Sequence, residues 1–222
     1  MKKMLDYFSI DGAVGGSQEW FRNVVMYIGG CAAATACDCC IYLALRHGMT
    51  NLYPYDVHGL TKQDYIDFSM QMKPYLRPRV NGVNKLCLFT EGFGNYLSSV
   101  GEQRLQMEEF PGTRSAKEAE AFVRKQINSG YSVPCLLLKH RNAKYKDFVW
   151  HWFLFYGYEE RRDGMWVTAA TYGESAAFLL RELWDTGYEE KGGLIGLHLQ
   201  GGEESGSCVR SGREDRIKAP SS

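Results

Sequence analysis

The chain lacks a net charge, because 26 Lys and Arg residues balance 26 Asp and Glu residues. The sequence has no excess of positive charge and no basic stripe with interleaved aromatic residues. It therefore predicts neither a nucleic-acid-binding protein nor one that binds an anionic membrane. It also lacks an apolar run long enough to span a bilayer. Gly12, Gly15 and Gly16 are not followed by the Lys-Ser/Thr of a phosphate-binding loop, so no nucleotide and no other cofactor is expected.

Neither a signal peptide nor a disulfide framework is expected. The opening residues meet Asp6 and Asp11 instead of continuing into an apolar region, which is atypical of a secretory signal. The seven cysteines are an odd number, and four of them crowd into 31–40, which fits buried thiols in a reducing, cytoplasmic compartment. Cys37 and Cys39 would point about 200° apart on one helix, so they could not share a metal ion, and no metal is expected.

The first half of the chain carries helical patterns. Residues from Gly30 to His47 are apolar on nearly every side, which predicts a buried central helix. Thr61 is a capping residue for a helix that runs to about Tyr75, and Ser115 with Glu118 forms a capping box for a surface helix over 115–129. Residues 85–100 favour no element clearly.

The second half carries strand patterns, which are separated by turns rich in glycine and charge. The predicted strands cover 133–139, 148–158, 165–171, 176–183 and 194–199. Helices followed by strands indicate an α+β fold in which a central buried helix packs on an antiparallel sheet. We expect one domain over 1–200, followed by a disordered tail over 201–222, where few apolar residues occur.

Cys31 follows a glycine pair at the start of the predicted central helix. A thiol in the first turn of a helix faces unpaired backbone N–H groups and the positive end of the helix dipole, and both favour the thiolate. His151 is the one histidine of the apolar strand 148–158, where alternation places it on the same face as Phe153 and Phe155. A cysteine that opens a helix and a histidine on a later strand are the pair that thiol catalysis needs.

Three segments in this order resemble the papain-like cysteine peptidases, most nearly the bacterial branch related to bacteriocin-processing peptidases. They are Gly30-Cys31-Ala32-Ala33-Ala34, the strand from Trp150-His151-Trp152 to Gly157-Tyr158, and Val167-Thr168-Ala169-Ala170-Thr171-Tyr172-Gly173. The resemblance covers roughly residues 15–200. It implies a papain-like fold, in which a helix carrying the nucleophile packs against a sheet carrying the base.

The resemblance also implies a third catalytic group that orients the imidazole. The family has Asn or Asp at the position where this chain has Thr171, whose hydroxyl gives an imidazolium less electrostatic support than a carboxylate does. Glu174 and Asp147 are alternative orienting groups.

For the oxyanion hole, the family uses a glutamine a few residues before the nucleophile, together with the N–H of the cysteine. Here Gln18 is preferred and Asn23 is the alternative. The expected substrate-binding residues are Trp20 and Trp152 as cleft walls and Gly30 as a source of room beside the sulfur.

Two functions follow from these expectations. The first is a papain-like cysteine hydrolase in which the Cys31 thiolate attacks a peptide or another amide and His151 acts as base; acyl transfer to an amine is a variant of the same chemistry. The second is a catalytically degenerate papain-like domain that binds a peptide or a protein partner without turnover. The oligomeric state cannot be read from the sequence.

Overall fold

The computed structural model describes residues 1–79 and 82–200, so the predicted tail at 201–222 lies outside the described residues. The helices of this part of the chain are α1 (Val24–Gly29), α2 (Cys31–His47), α3 (Lys62–Met72), α4 (Leu86–Ser99), α5 (Ala116–Asn128) and α6 (Leu180–Trp184). Its strands are β1 (Lys2–Met4), β2 (Ser9–Ile10), β3 (Ala13–Val14), β4 (Leu105–Pro111), β5 (Val133–Leu137), β6 (His151–Arg161), β7 (Gly164–Thr171), β8 (Glu174–Leu179) and β9 (Gly193–Leu199).

Seven of these strands form one sheet, whose order is β4-β9-β5-β6-β7-β8, with β1 paired to β6. The named strands pair in the antiparallel sense, as predicted. β5 pairs with residues 151–155 of β6 and β1 with residues 157–159, while β7 pairs along 154–161. β7 pairs with one edge of β6. β5 and β1 pair with successive parts of the opposite edge. The fold is therefore α+β with an antiparallel sheet.

The central helix α2 lies in the core. Its small and apolar residues leave almost no side chain exposed before Leu45, and the helix packs on β6 and on α3. Gly48 ends it with a left-handed φ of 65°, a conformation that costs glycine little. The prediction of a buried central helix is confirmed. Because α2 begins at Cys31, the sulfur is carried by the first helical residue.

Two capping predictions are confirmed. The side chain of Thr61 accepts from the backbone N–H of Asp64 at the start of α3, and Ser115 with Glu118 forms the complete capping box of α5. The rings of His151, Phe153 and Phe155 follow each other along β6 with centroids 5.9 and 5.7 Å apart, as strand alternation requires.

Three stretches differ from their sequence patterns. The predicted strand 176–183 is wrong in its second half: the chain leaves β8 and forms α6, because Leu180, Leu183 and Trp184 recur at helical spacing and are buried. Residues 85–100, which favoured no element, contain α4. β4 was not predicted, since Glu108 and Glu109 interrupt its apolar pattern, yet it pairs with β9 over its whole length.

Among the described residues, no helix combines the length and the apolar character that crossing a bilayer requires.

Candidate active site

Cys31 lies at the amino end of α2, with its side chain turned inward. The residue is 8% exposed. Backbone N–H groups of Trp152 and Ala32 donate toward the sulfur, but burial outweighs them and raises the pKa of the thiol. This differs from the thiolate that the helix dipole alone would favour. In the absence of a ligand, the neutral thiol is therefore the favoured form.

His151 opens β6 and is 5% exposed. Its Nε2 lies 2.9 Å from the Oγ1 of Thr171, the last residue of the neighbouring strand β7. Its Nδ1 lies 3.3 Å from the hydroxyl of Tyr172, whose ring stacks on the imidazole with centroids 4.4 Å apart and planes within 4°. Burial lowers the pKa of His151 to about 3, so the ring is neutral at pH 7 and can accept a proton.

Cys31 and His151 line the same two spaces. One is a small cavity, here called the inner cavity, which Asp38 also lines. The other is a groove of about 450 Å³, and Gln18, Cys31, His151 and Tyr172 contribute to the lining of both. The helix and the sheet thus bring together two residues that are 120 positions apart in the chain.

Of the three residues considered for orienting the imidazole, Thr171 makes the hydrogen bond to the ring. Glu174 is exposed at the start of β8, opposite Thr171 in the strand register. Asp147 reaches this region through its backbone carbonyl, which accepts from the Tyr172 hydroxyl at 3.4 Å. The orienting position therefore carries a neutral hydroxyl, which fixes the ring but adds no negative charge.

Of the two amides considered for the oxyanion hole, Gln18 lies at the site and Asn23 does not line it. Gln18 belongs to a 3₁₀ turn over Gln18–Trp20, and its Nε2 donates to the carbonyl of Tyr27 at 3.3 Å. Its Oε1 is buried and has no hydrogen-bond partner among the described residues. Asn23 instead caps α1, where its side chain accepts from the backbone N–H of Met26. An amide with an unpaired buried oxygen can reorient when a ligand supplies a better partner.

The three residues expected to bind substrate lie in different surroundings. Trp152 is buried in the wall of the inner cavity, and its indole N–H donates to the carbonyl of Val83. Trp20 is not among the described residues that line either space; its ring packs edge-on against Tyr65. A Cβ at Gly30 would lie 2.4 Å from the carbonyl oxygen of Met26. Gly30 ends α1 and its N–H donates to this same carbonyl, so the tight junction between α1 and α2 leaves no room for a side chain there.

The sequence reasoning missed several residues that line the groove beside Cys31 and His151. Tyr172, between Thr171 and Gly173, could have been noticed from its place at the end of a strand that leads into the site. Ile28 and Trp150 also line the groove, and they are 74% and 45% exposed. The sequence contains no pattern that predicts the exposure of these two side chains.

The residues of 1–79 and 82–200 contain no group of three His, Cys, Asp or Glu side chains able to hold a metal ion. The side chains that line the site offer a thiol, a neutral imidazole, a hydroxyl and a carboxamide. Comparison of the chain with protein-family models, with curated proteins and with solved structures found no match.

Proposed function

We propose that the chain is a papain-like cysteine hydrolase that cleaves a peptide or another amide bond. The observation that carries the proposal is the groove lined by both Cys31 and His151, with the imidazole held on its far side by Thr171. A nucleophile at the start of a helix, a base on a strand and a third group that orients the base are the constellation expected of thiol catalysis.

The role of base requires one particular tautomer of His151. For His151 to act as a base, Nε2–H donates to the hydroxyl of Thr171, which leaves Nδ1 unprotonated. Since burial disfavours the separate charges of thiolate and imidazolium, the proton moves to Nδ1 as the sulfur attacks the carbonyl carbon. The resting pair is then a neutral thiol and a neutral imidazole.

The covalent steps balance without a cofactor. The Cys31 sulfur bonds to the carbonyl carbon, and the oxyanion that forms accepts from the N–H of Cys31 and from the amide of Gln18. The imidazolium of His151 then returns its proton to the leaving amine as the carbon–nitrogen bond breaks, and a thioester remains on the sulfur. Water, activated by the same imidazole, hydrolyses the thioester; an amine in its place would give acyl transfer.

A peptide fits the surroundings of the site. Two exposed apolar side chains line the groove, Ile28 of α1 and Trp150 just before β6. Val24, Val25 and Tyr27 of the same short helix are exposed as well. Exposed apolar side chains next to a reactive pair are suited to binding a peptide or a protein segment.

The test is cleavage of a complex peptide library. The wild-type protein and the Cys31→Ala variant are each incubated with a library of tryptic peptides, and new termini are counted by mass spectrometry. The proposal predicts new termini with the wild type and none above background with Cys31→Ala, while Cys87→Ala, which removes an exposed cysteine, keeps them. A wild type that yields no more termini than Cys31→Ala would contradict the proposal.

The second candidate is a papain-like domain that binds a peptide without turnover. It is favoured by the neutral orienting residue, Thr171, and by burial that disfavours both charges of the catalytic pair. This candidate predicts retention of the same peptides on immobilised wild-type and Cys31→Ala protein, with no cleavage by either. The library experiment therefore separates the two functions.

A further inference from the structure

A buried carboxylate lies on α2 two helical turns behind Cys31. Asp38 is 5% exposed and lines the inner cavity together with Cys31, Gly16 and Gln18. The salt bridges of the described residues do not include Asp38. A buried carboxylate is costly unless several groups donate hydrogen bonds to it, so its hydrogen-bond partners show what it holds in place.

Three groups donate to this carboxylate, and each comes from a different segment of the chain. The hydroxyl of Tyr7 lies 2.8 Å from Oδ2, the hydroxyl of Tyr65 on α3 lies 2.9 Å from Oδ1, and the backbone N–H of Gly16 lies 3.1 Å from Oδ1. Tyr65 also donates to the carbonyl of Ala34, one turn after Cys31. Asp38 therefore joins the loop at 15–16 to the helix that carries the nucleophile.

The loop approaches this cluster so closely that it has no room for a side chain. A Cβ at Gly16 would lie 1.8 Å from the ring of Tyr65, and a Cβ at Gly15 would lie 2.4 Å from Oδ2 of Asp38. Gln18 follows two residues after Gly16, in the 3₁₀ turn that Ser17 caps. The contact at Gly16 thus fixes the starting point of the turn that carries Gln18 to the groove.

We propose that Asp38 is a positioning residue, which holds the Gly15–Gln18 segment against α2 and so places the Gln18 amide at the oxyanion position beside Cys31. This inference rests on the proposed function for its catalytic consequence, while the anchoring itself does not depend on turnover. Asn can replace Asp38 in this role, because its Oδ1 can accept from Gly16 and Tyr65 and its amide can donate to the hydroxyl oxygen of Tyr7. Ala cannot make these contacts.

The anchoring is measured by amide hydrogen exchange in wild-type protein, Asp38→Asn and Asp38→Ala. We expect residues 15–18 to exchange at least about tenfold faster in Asp38→Ala, since a lost hydrogen bond opens the segment locally, and within about threefold of wild type in Asp38→Asn. Tyr65→Phe, which removes one donor, gives an intermediate acceleration. Tyr53→Phe is the matched control, because the buried Tyr53 hydroxyl has no hydrogen-bond partner within residues 1–79 and 82–200. Unchanged exchange over 15–18 in Asp38→Ala overturns the proposal.

The catalytic consequence is measured with 4-nitrophenyl acetate, which acylates an active thiol and releases nitrophenolate. Asp38→Ala and Gln18→Ala should each lower kcat at least about tenfold, and their double variant should be no slower than either single variant, because both changes remove one donor from the oxyanion. Alkylation of Cys31 by iodoacetamide forms no oxyanion and should stay within about twofold of wild type. A similar loss in both reactions would show a general structural defect and overturn the positioning role.

The exchange and the ester experiments fail in different ways. If the wild-type protein releases no nitrophenolate, the proposed function fails, while the exchange rates over 15–18 still decide whether Asp38 anchors the segment. If turnover is present and Asp38→Ala leaves both the exchange rates and kcat unchanged, the proposed function stands and the positioning role of Asp38 is refuted.

Discussion

Replacing Asp38 by Asn should make the protein more stable at neutral pH. Burial raises the pKa of Asp38 from 3.8 to about 6, although the hydrogen bonds from Tyr7, Tyr65 and Gly16 oppose the rise. The folded protein therefore binds the proton of this carboxyl group more readily than the unfolded chain does. A difference of roughly two pKa units is worth about 3 kcal/mol, which is the cost of carrying the ionised group in the folded state at pH 7.

The sign of the shift fixes the pH range in which this cost appears. Ionisation of Asp38 lowers the free energy of unfolding as the pH rises from about 4 to about 6. Above and below that range, the contribution of Asp38 to the free energy of unfolding is constant. Asn resembles the protonated carboxyl group and has no such dependence. We expect Asp38→Asn to be more stable than wild type by about 2–3 kcal/mol at pH 7 and of nearly equal stability at pH 3.5.

Urea denaturation of both proteins at the two pH values measures this difference. Other titrating groups occur in both proteins, so their effects cancel in the comparison. A variant that is less stable than wild type at pH 7, or a difference that does not shrink between pH 7 and pH 3.5, would refute the reasoning. A stability cost carried at the site would match the general observation that functional residues are retained at the expense of stability.

Three further predictions concern the site and its supporting helix. Thr171→Val should lower kcat for 4-nitrophenyl acetate about tenfold, which is the effect of losing one hydrogen bond of about 1.4 kcal/mol. Thr168→Val on the same strand is the control and should keep kcat within twofold of wild type. Equal losses in the two variants would contradict the orienting role of Thr171. Because burial raises the pKa of Cys31, its alkylation by iodoacetamide should still accelerate with pH above 9, and a plateau reached below pH 7 would show a preformed thiolate instead. Gly30→Ala should destabilise the protein by about 1–3 kcal/mol in urea denaturation, because the new Cβ would meet a backbone oxygen at 2.4 Å. Gly94→Ala should be neutral or stabilising, because the nearest atom to its new Cβ is a methionine methyl at 3.6 Å.

The main elements of the fold could be predicted where local signals were strong. α2 and α5 follow from an apolar run that ends at Gly48 and from a capping box at Ser115, and both signals depend on neighbouring residues alone. β4 and α6 could not be predicted in this way. β4 owes its existence to pairing with β9, which lies far away in the chain, and the apolar residues of α6 fit a strand as well as a single helical turn.

In the candidate site, too, some features could be predicted from the sequence, and others depend on how the chain packs. Cys31 and His151 could be selected from a cysteine that opens a helix and a histidine in an apolar strand, whereas Thr171 was selected only through the family resemblance. The balance between the helix dipole and burial at Cys31 depends on the packing of the whole core, so the raised pKa of the thiol could not be foreseen. Likewise, only the packed structure shows that a Cβ at Gly30 would meet the Met26 carbonyl and that Trp20 packs edge-on against Tyr65.

The dependence of Cys31 acylation on His151 tests the account most directly. Wild-type protein, His151→Ala and His140→Ala are mixed briefly with 4-nitrophenyl acetate, quenched in acid and analysed by peptide mass mapping. The account predicts an acetyl group on Cys31 in the wild type and in His140→Ala, formed faster than on the exposed Cys87, and none on Cys31 in His151→Ala. Acetylation of Cys31 that is no faster than that of Cys87, or that persists without His151, would contradict the proposal that the two residues act as a catalytic pair.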